Sequence, residues 1–239
     1  MRHLASLEAC AAQIKGVRVA SRESPLARAQ VAEVQSAFES VLGPLEWEIS
    51  YLSTVGDLDR KTSLRDLDKT DFFTRELDAL LLSGDCDLCI HSAKDLPDPL
   101  PRGLAIAALT RGVDPRDALV LRPGETLEEL PRGARIATSS LRREEVVRSL
   151  REGLAFVDLR GKIHERLEKL ASGEADGVVV AMAALIRLKL THLNILPLPG
   201  ETASFQGRLA LVCRESKCGE SFDQTLSEAL QEICLQTGI

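Results

Sequence analysis

Short apolar runs alternate along the chain with longer stretches of helical spacing. Residues 17–21 form one such run, and Ser24-Pro25 then opens a helical stretch reaching Leu42. A capping serine before a first-turn proline is a strong helix start, because the hydroxyl takes a free backbone N–H and proline has none to lose. Residues 46–52 read as a strand, and residues 72–82 as a helix stopping at Gly84, which tolerates the left-handed backbone that ends helices. A buried strand is expected over 86–91, with two more at 104–109 and 118–121. The second half repeats the grammar: strands at 134–137, 156–159 and 177–180, helices at 139–150, 163–171 and 181–188. Such alternation predicts an α/β fold with mainly parallel sheets.

An internal echo suggests two lobes. Arg18-Val-Ala-Ser21 leads into an arginine-bearing helix start, and Arg135-Ile-Ala-Thr138 does the same. The pattern predicts two similar lobes facing a cleft, with lobe 1 over 16–110 plus 206–216 and lobe 2 over 111–205. The chain crosses between them near 110–115 and returns through a strand at 209–213, so two crossover segments form a hinge. Residues 217–239 are expected to form only a short helical tail, with an amphipathic helix at 222–235.

Composition narrows the function classes. The chain is 44% hydrophobic and 28% charged, as in soluble globular proteins, with a net charge of −6. Acidity argues against non-specific nucleic-acid binding, and an aromatic content of 3% leaves few faces on which bases could stack. No window matches a membrane span and residues 1–15 lack a signal-peptide core, so no membrane partner is expected. The six cysteines suggest neither a disulfide framework nor a metal site, and reduced thiols fit a cytoplasmic protein. Cys86 and Cys89 have C-x-x-C spacing inside the expected strand, where residues three apart point to opposite faces. Buried free thiols are therefore the better reading of that pair.

Three clusters carry chemistry. Arg22 and Ser24 flank a helix N-terminus, where free N–H groups, the helix dipole and a guanidinium together suit a carboxylate or phosphate. Thr138, Ser139, Ser140, Arg142 and Arg143 repeat that device in the second half. Either cluster alone reads most simply as a capped helix with solvated arginines; two at equivalent points favour an anion-binding cleft. Arg160 ends a strand, with Arg166 about a turn into the next helix and Arg187 near the end of another. The densest polar cluster is His91-Ser92-Ala93-Lys94-Asp95, at the C-terminal end of a buried strand. A carboxylate beside lysine, hydroxyl and imidazole can act as acid and base or hold a cationic intermediate, although a plain polar turn before Pro97 and Pro99 fits the segment equally well.

Six segments, in order, resemble the signatures of the porphobilinogen deaminase (hydroxymethylbilane synthase) family. They are Arg18-Val-Ala-Ser-Arg-Glu-Ser-Pro-Leu-Ala27, Phe73-Thr-Arg-Glu-Leu77, His91-Ser-Ala-Lys-Asp-Leu-Pro97, Asp114-Pro-Arg-Asp-Ala118, Ala137-Thr-Ser-Ser-Leu-Arg-Arg143 and Leu159-Arg-Gly161. The resemblance implies two periplasmic-binding-protein-like lobes and a small third domain. It also implies an enzyme that deaminates porphobilinogen and joins four molecules into hydroxymethylbilane, in haem biosynthesis. Its cofactor is dipyrromethane, linked to a third-domain cysteine. By matching positions, Asp95 would be the catalytic carboxylate with Lys94 beside it. Arg22, Ser24, Ser92, Thr138, Ser139, Ser140, Arg142, Arg143, Arg160, Arg166 and Arg187 would hold the acetate and propionate groups of cofactor and substrate, since arginine forks match carboxylates. The implied partner is the small substrate alone, with the chain a monomer.

Three departures stand out. Lys69-Thr-Asp-Phe-Phe73 occupies the place of a Gly-Lys-Gly-Leu-Phe loop, with Lys69 the nearest equivalent of the loop lysine. Phe205-Gln-Gly-Arg208 replaces a more glycine-rich run. The chain reaches Ile239 without the family's glycine-rich cofactor-cysteine motif, so Cys218 and Cys234 are candidates for attachment that do not match it. The rival expectations are a degenerate deaminase or a two-lobe ligand-binding protein, either of which would bind pyrrole carboxylates without polymerising them.

Overall fold

The apolar run before Ser24 becomes the first strand, β1 (Gly16–Arg22), and Ser24 and Pro25 start helix α1 (Pro25–Leu42) as their chemistry predicts. The computed structural model describes residues 16–59, 62 and 70–217; Cys10, Lys69, Cys218, Cys234 and the expected tail helix lie outside them. The chain divides into two units. Of the described residues, the first holds 16–58, 70–113 and 208–217, and the second holds 59, 62 and 114–207.

The first unit continues with β2 (Glu46–Leu52), the single turn α2 (Val55–Leu58), a 3₁₀ turn (Asp71–Phe73), α3 (Arg75–Ser83), β3 (Leu88–Ser92), a second 3₁₀ turn (Ala93–Asp95) and β4 (Leu104–Leu109). The second unit contains β5 (Asp117–Leu121), β6 (Arg135–Ala137), α4 (Leu141–Leu150), β7 (Ala155–Val157), α5 (Ile163–Ala171), β8 (Gly177–Ala181), α6 (Met182–Arg187) and β9 (Asn194–Pro197). The last strand, β10 (Leu209–Arg214), returns to the first unit.

Strand order is β2-β1-β3-β10-β4 in one sheet and β7-β6-β8-β5-β9 in the other. In each, the first three strands run parallel; the strand by which the chain enters from the other unit, β10 or β5, is antiparallel to both neighbours. The two sheets are thus mixed, built to the same plan.

In the first unit, Val31, Val34 and Phe38 of α1 pack on Val17, Val19, Leu88 and Ile90. Leu77 and Leu81 of α3 cover the opposite face, against Ala20, Cys89 and Val212. In the second, Val147 of α4 meets Ile136, Leu119 and Val179, while Leu170 and Leu185 cover Ala118, Val178 and Val180. A fully buried leucine such as Leu77 or Leu185 contributes about 2 kcal/mol.

Local boundaries differ from expectation. Helix α3 begins at Arg75, because Phe72 and Phe73 form a separate 3₁₀ turn with their rings edge-on at 5.2 Å. A Cβ on Gly56 would lie 2.3 Å from the Phe73 ring, so only glycine lets α2 approach that turn. Strand β3 begins at Leu88, two residues later than expected, which leaves Cys86 in the preceding loop.

Candidate active site

In the first unit, β1 and β3 are parallel neighbours, with Ala20 opposite Cys89, and their C-terminal ends carry Arg22 and the segment His91–Asp95. Polar groups gather where such strands end. Arg22 donates from Nε to Asp57 Oδ2 at 3.0 Å and from its second fork nitrogen to Oδ1, and it stacks 4.6 Å from the centre of the Phe73 ring. Asp57 also accepts the Thr54 backbone N–H at 3.1 Å and its hydroxyl at 2.9 Å. Burial disfavours the charge on both partners. The fork between them outweighs it, so Arg22 is held above and Asp57 below its ordinary pKa, with the Asp95 charge adding to the effect on Arg22.

Ser24 caps α1, its hydroxyl accepting the Ala27 N–H at 3.2 Å. Ser92 Oγ accepts from Gln30 Nε2 at 2.8 Å. The Ala93 N–H donates to the Arg208 carbonyl at 3.0 Å, anchoring the 3₁₀ turn that presents half-buried Lys94 and Asp95. His91 is buried, and its Nε2 finds no hydrogen-bond partner among the described residues. Burial, with help from the Arg22 charge, lowers its pKa from 6.5 to about 4, so the imidazole is neutral.

In the second unit the equivalent turn follows β6. Thr138 is fully buried, and its Oγ1 accepts the Ser140 N–H at 3.3 Å. Ser139 Oγ donates to the Leu159 carbonyl and accepts the Leu159 N–H at 3.0 Å, tying this turn to the segment before Arg160. Ser140 caps α4. Arg142 and Arg143 converge on Asp117 at the start of β5, at 2.5 Å to Oδ2 and 2.7 Å to Oδ1. Gln206 Nε2 adds a bond to Asp117 Oδ1 at 2.9 Å and another to the Pro115 carbonyl at 2.6 Å. Burial would raise the Asp117 pKa, but Arg143, Arg142 and Gln206 overcome it and hold the carboxyl below its usual range.

The remaining arginines are placed by backbone carbonyls: Arg160 by Asp59 at 2.5 Å, Arg166 by Gly161 at 2.7 Å and Arg187 by Gly207 at 2.9 Å. Gly161 has φ +98°, and a Cβ there would lie 2.3 Å from Glu165 Oε2. The structure therefore brings Arg22, Ser24, Ser92, Lys94 and Asp95 into the first unit, and Thr138, Ser139, Ser140 and the other five candidate arginines into the second. Sequence reasoning missed the internal carboxylates Asp57 and Asp117, each of which fixes an arginine fork. The signal for Asp117 was available: an acidic residue heading an apolar strand needs a partner.

No group of His, Cys, Asp and Glu side chains among the described residues is arranged to hold a metal, and no described helix is long and apolar enough to cross a membrane.

The family model for porphobilinogen deaminase, dipyromethane cofactor binding domain, matches residues 17–219. A probable porphobilinogen deaminase of Chlamydia pneumoniae is 41% identical over 199 residues, covering 83% of this chain and 84% of that protein. The porphobilinogen deaminase of Caldicellulosiruptor saccharolyticus is 39% identical over 84% of this chain and 70% of its own length. That of a Roseiflexus species is 43% identical over 72% of this chain, and the match spans 57% of the relative's length. Among solved structures, the methionine-binding protein MetQ has a TM-score of 0.58 at 13% identity, with 94% of each chain covered. A periplasmic substrate-binding protein of an ABC transporter from Coxiella burnetii gives 0.57 at 16%, covering 93% of this chain and 95% of that one. At those identities the likeness is one of fold.

Proposed function

Because this chain belongs to the porphobilinogen deaminase family, a transferase family of tetrapyrrole biosynthesis, we propose that it deaminates porphobilinogen and joins four molecules head to tail into hydroxymethylbilane. The observation carrying this reading is the placement of Lys94 and Asp95 at the C-terminal end of β3, with Asp95 close enough to Arg22 for their charges to interact.

The chemistry asks for two things. Porphobilinogen carries an acetate and a propionate, so its binding groups must be cationic, forked and fixed. Arg22 in the first unit, and Arg142 and Arg143 in the second, meet that need, each oriented by an internal carboxylate. Ser24, Ser92, Thr138, Ser139 and Ser140 supply further polar groups, and Arg160, Arg166 and Arg187 further charge. The reaction also needs a carboxylate where positive charge develops. Ammonia leaves the aminomethyl carbon of the substrate, and the resulting methylenepyrrolenine cation is stabilised by Asp95. Attack by a pyrrole α-carbon forms the new carbon–carbon bond. Asp95 then assists loss of the α-proton, restoring the aromatic ring. Lys94 stands beside that carboxylate in the same 3₁₀ turn, and water ends the sequence by adding to the last cation.

The same donor set fits dipyrromethane, whose side chains are also acetates and propionates; Arg142, Arg143 and the hydroxyls after β6 would hold it. When bound, that group supplies the α-carbon to which the first substrate is joined. The reading takes the chain to be a cytoplasmic monomer with a small-molecule substrate and no nucleic-acid partner. The test is incubation of purified protein with porphobilinogen: an active deaminase consumes it and releases one ammonia per molecule, whereas a binding protein retains it unchanged. Absence of both ammonia and bilane would overturn the proposal.

A further inference from the structure

Cys86, in the loop between α3 and β3, and Cys89, in β3, form a thiol pair that the reaction above does not use. Because β3 starts at Leu88, Cys86 is not bound by strand alternation, and it turns toward the same side of the sheet as Cys89. Their sulfurs lie 3.7 Å apart, in contact, within the apolar layer formed with Leu77 and Leu81. The pair is held in register from several sides. Gly84 ends α3 in the left-handed conformation, and the N–H groups of Asp85 and Cys86 both return to the Leu80 carbonyl, at 3.0 and 3.3 Å. Arg214 donates to the Leu81 carbonyl at 2.6 Å and the Cys86 carbonyl at 2.8 Å. Asp87, next in the chain, is forked by Arg18 at 3.0 and 2.7 Å.

We propose that Cys86 and Cys89 are a redox-active dithiol that a small hydroperoxide closes to an intrachain disulfide. The sulfurs need to approach by about 1.7 Å to reach the disulfide bond length of about 2.05 Å, a movement within reach of side-chain rotation and a small loop shift. Cys86 is the attacking sulfur. The Cys89 thiol hydrogen-bonds to it and lowers its pKa against burial and the neighbouring Asp87 charge, with Arg214 and Arg18 contributing, while burial pushes Cys89 well up. Burial of both residues favours a small oxidant, admitted by local opening of the loop, over a bulky disulfide.

The step balances. The Cys86 thiolate attacks one peroxide oxygen, the O–O bond breaks, and hydroxide (or alkoxide) leaves and takes up the Cys86 proton, giving Cys86 sulfenic acid. The Cys89 sulfur then attacks the Cys86 sulfur. The S–S bond forms, the S–O bond breaks, and the departing hydroxide takes the Cys89 proton as water. Two thiols lose two electrons and the peroxide gains them. A thiol reductant reverses the closure by exchange.

The experiment uses the full chain, reduced, freed of reductant and treated with hydrogen peroxide, then alkylated under denaturing conditions and mapped by mass spectrometry. The expected result is a peptide containing Cys86 and Cys89, lighter by two hydrogens, closed to alkylation and restored by dithiothreitol. In Cys89→Ser the reaction stops at Cys86 sulfenic acid, which dimedone traps; in Cys86→Ser, Cys89 remains a thiol. Wild-type protein with both thiols intact after peroxide overturns the proposal, as does a bond from either residue to Cys10, Cys213, Cys218 or Cys234. Dimedone capture at Cys89 in Cys86→Ser overturns the assigned order of attack.

Discussion

Arg143 binds one oxygen of Asp117 twice, with Nε at 2.9 Å and a terminal nitrogen at 2.7 Å from Oδ1, leaving Oδ2 to Arg142. The side chain of Asp117 is 3% exposed and that of Arg143 11%. Removing the carboxylate therefore strands a guanidinium that water cannot reach well. Asp117→Ala should lower stability by about 3 kcal/mol, read from urea denaturation, and Asp117→Asn by less, because the amide oxygen still accepts a hydrogen bond. The carboxyl is held below its ordinary pKa, so this stabilisation is complete above the ordinary carboxylate range and fades as pH falls below it. A wild-type stability for Asp117→Ala would refute the structural role given to the pair.

A second pH dependence lies higher. The unfolded chain protonates His91 near 6.5, whereas the folded protein does so only near 4. Between those values the unfolded state binds more protons, so stability is complete above 6.5 and is lost progressively as pH falls toward 4. The full difference is about 3 kcal/mol. His91→Gln should flatten the stability profile across that window while leaving the carboxylate losses at lower pH. An unchanged slope between pH 6.5 and 4 in that variant would show that other groups govern it.

The strand–helix alternation and the cap at Ser24 were legible because each depends on neighbours in sequence. What escaped notice depends on distance or brevity. Helix α2 is one turn, too short for periodicity, and β9 is four residues ending in proline, which donates nothing to a ladder. The candidate arginines could be named from helix starts and family signatures, but not their partners. Arg22 and Asp57 are 35 residues apart, and Gln206 and Asp117 are 89 apart, with no local signal joining them. The Cys86–Cys89 contact was misread for a related reason, since a two-residue difference in where β3 begins decides which way one thiol points.

Ser24 separates structural from ligand-binding roles. Its hydroxyl accepts the Ala27 N–H, so Ser24→Ala should destabilise the protein by about 1 kcal/mol. Ser24→Asp keeps a capping oxygen and should retain most of that stability. The new carboxylate, two residues from Arg22, would compete for the guanidinium and repel the carboxylates of porphobilinogen. A raised KM in Ser24→Asp with stability near wild type is the expected pattern. An unaltered KM would remove Ser24 from the binding set and leave it a helix cap.

Asp95 offers the sharpest test, because its position makes chemistry and stability separable. It ends a 3₁₀ turn held by backbone hydrogen bonds, from Ala93 N–H to the Arg208 carbonyl and from Leu96 N–H to the Ala93 carbonyl, neither of which uses its side chain. Asp95→Asn preserves size and removes only the charge, so its folding and thermal midpoint should stay close to those of the wild type. A carboxylate that both stabilises the methylenepyrrolenine cation and assists proton loss should be worth about 100- to 10,000-fold in rate, so kcat should fall by that order. KM should change little, since the arginine forks that bind the substrate remain. Porphobilinogen consumption and ammonia release, followed together, measure both steps. Ordinary turnover in Asp95→Asn would move the catalytic role elsewhere. A fall in stability matching the fall in rate would instead mark Asp95 as structural.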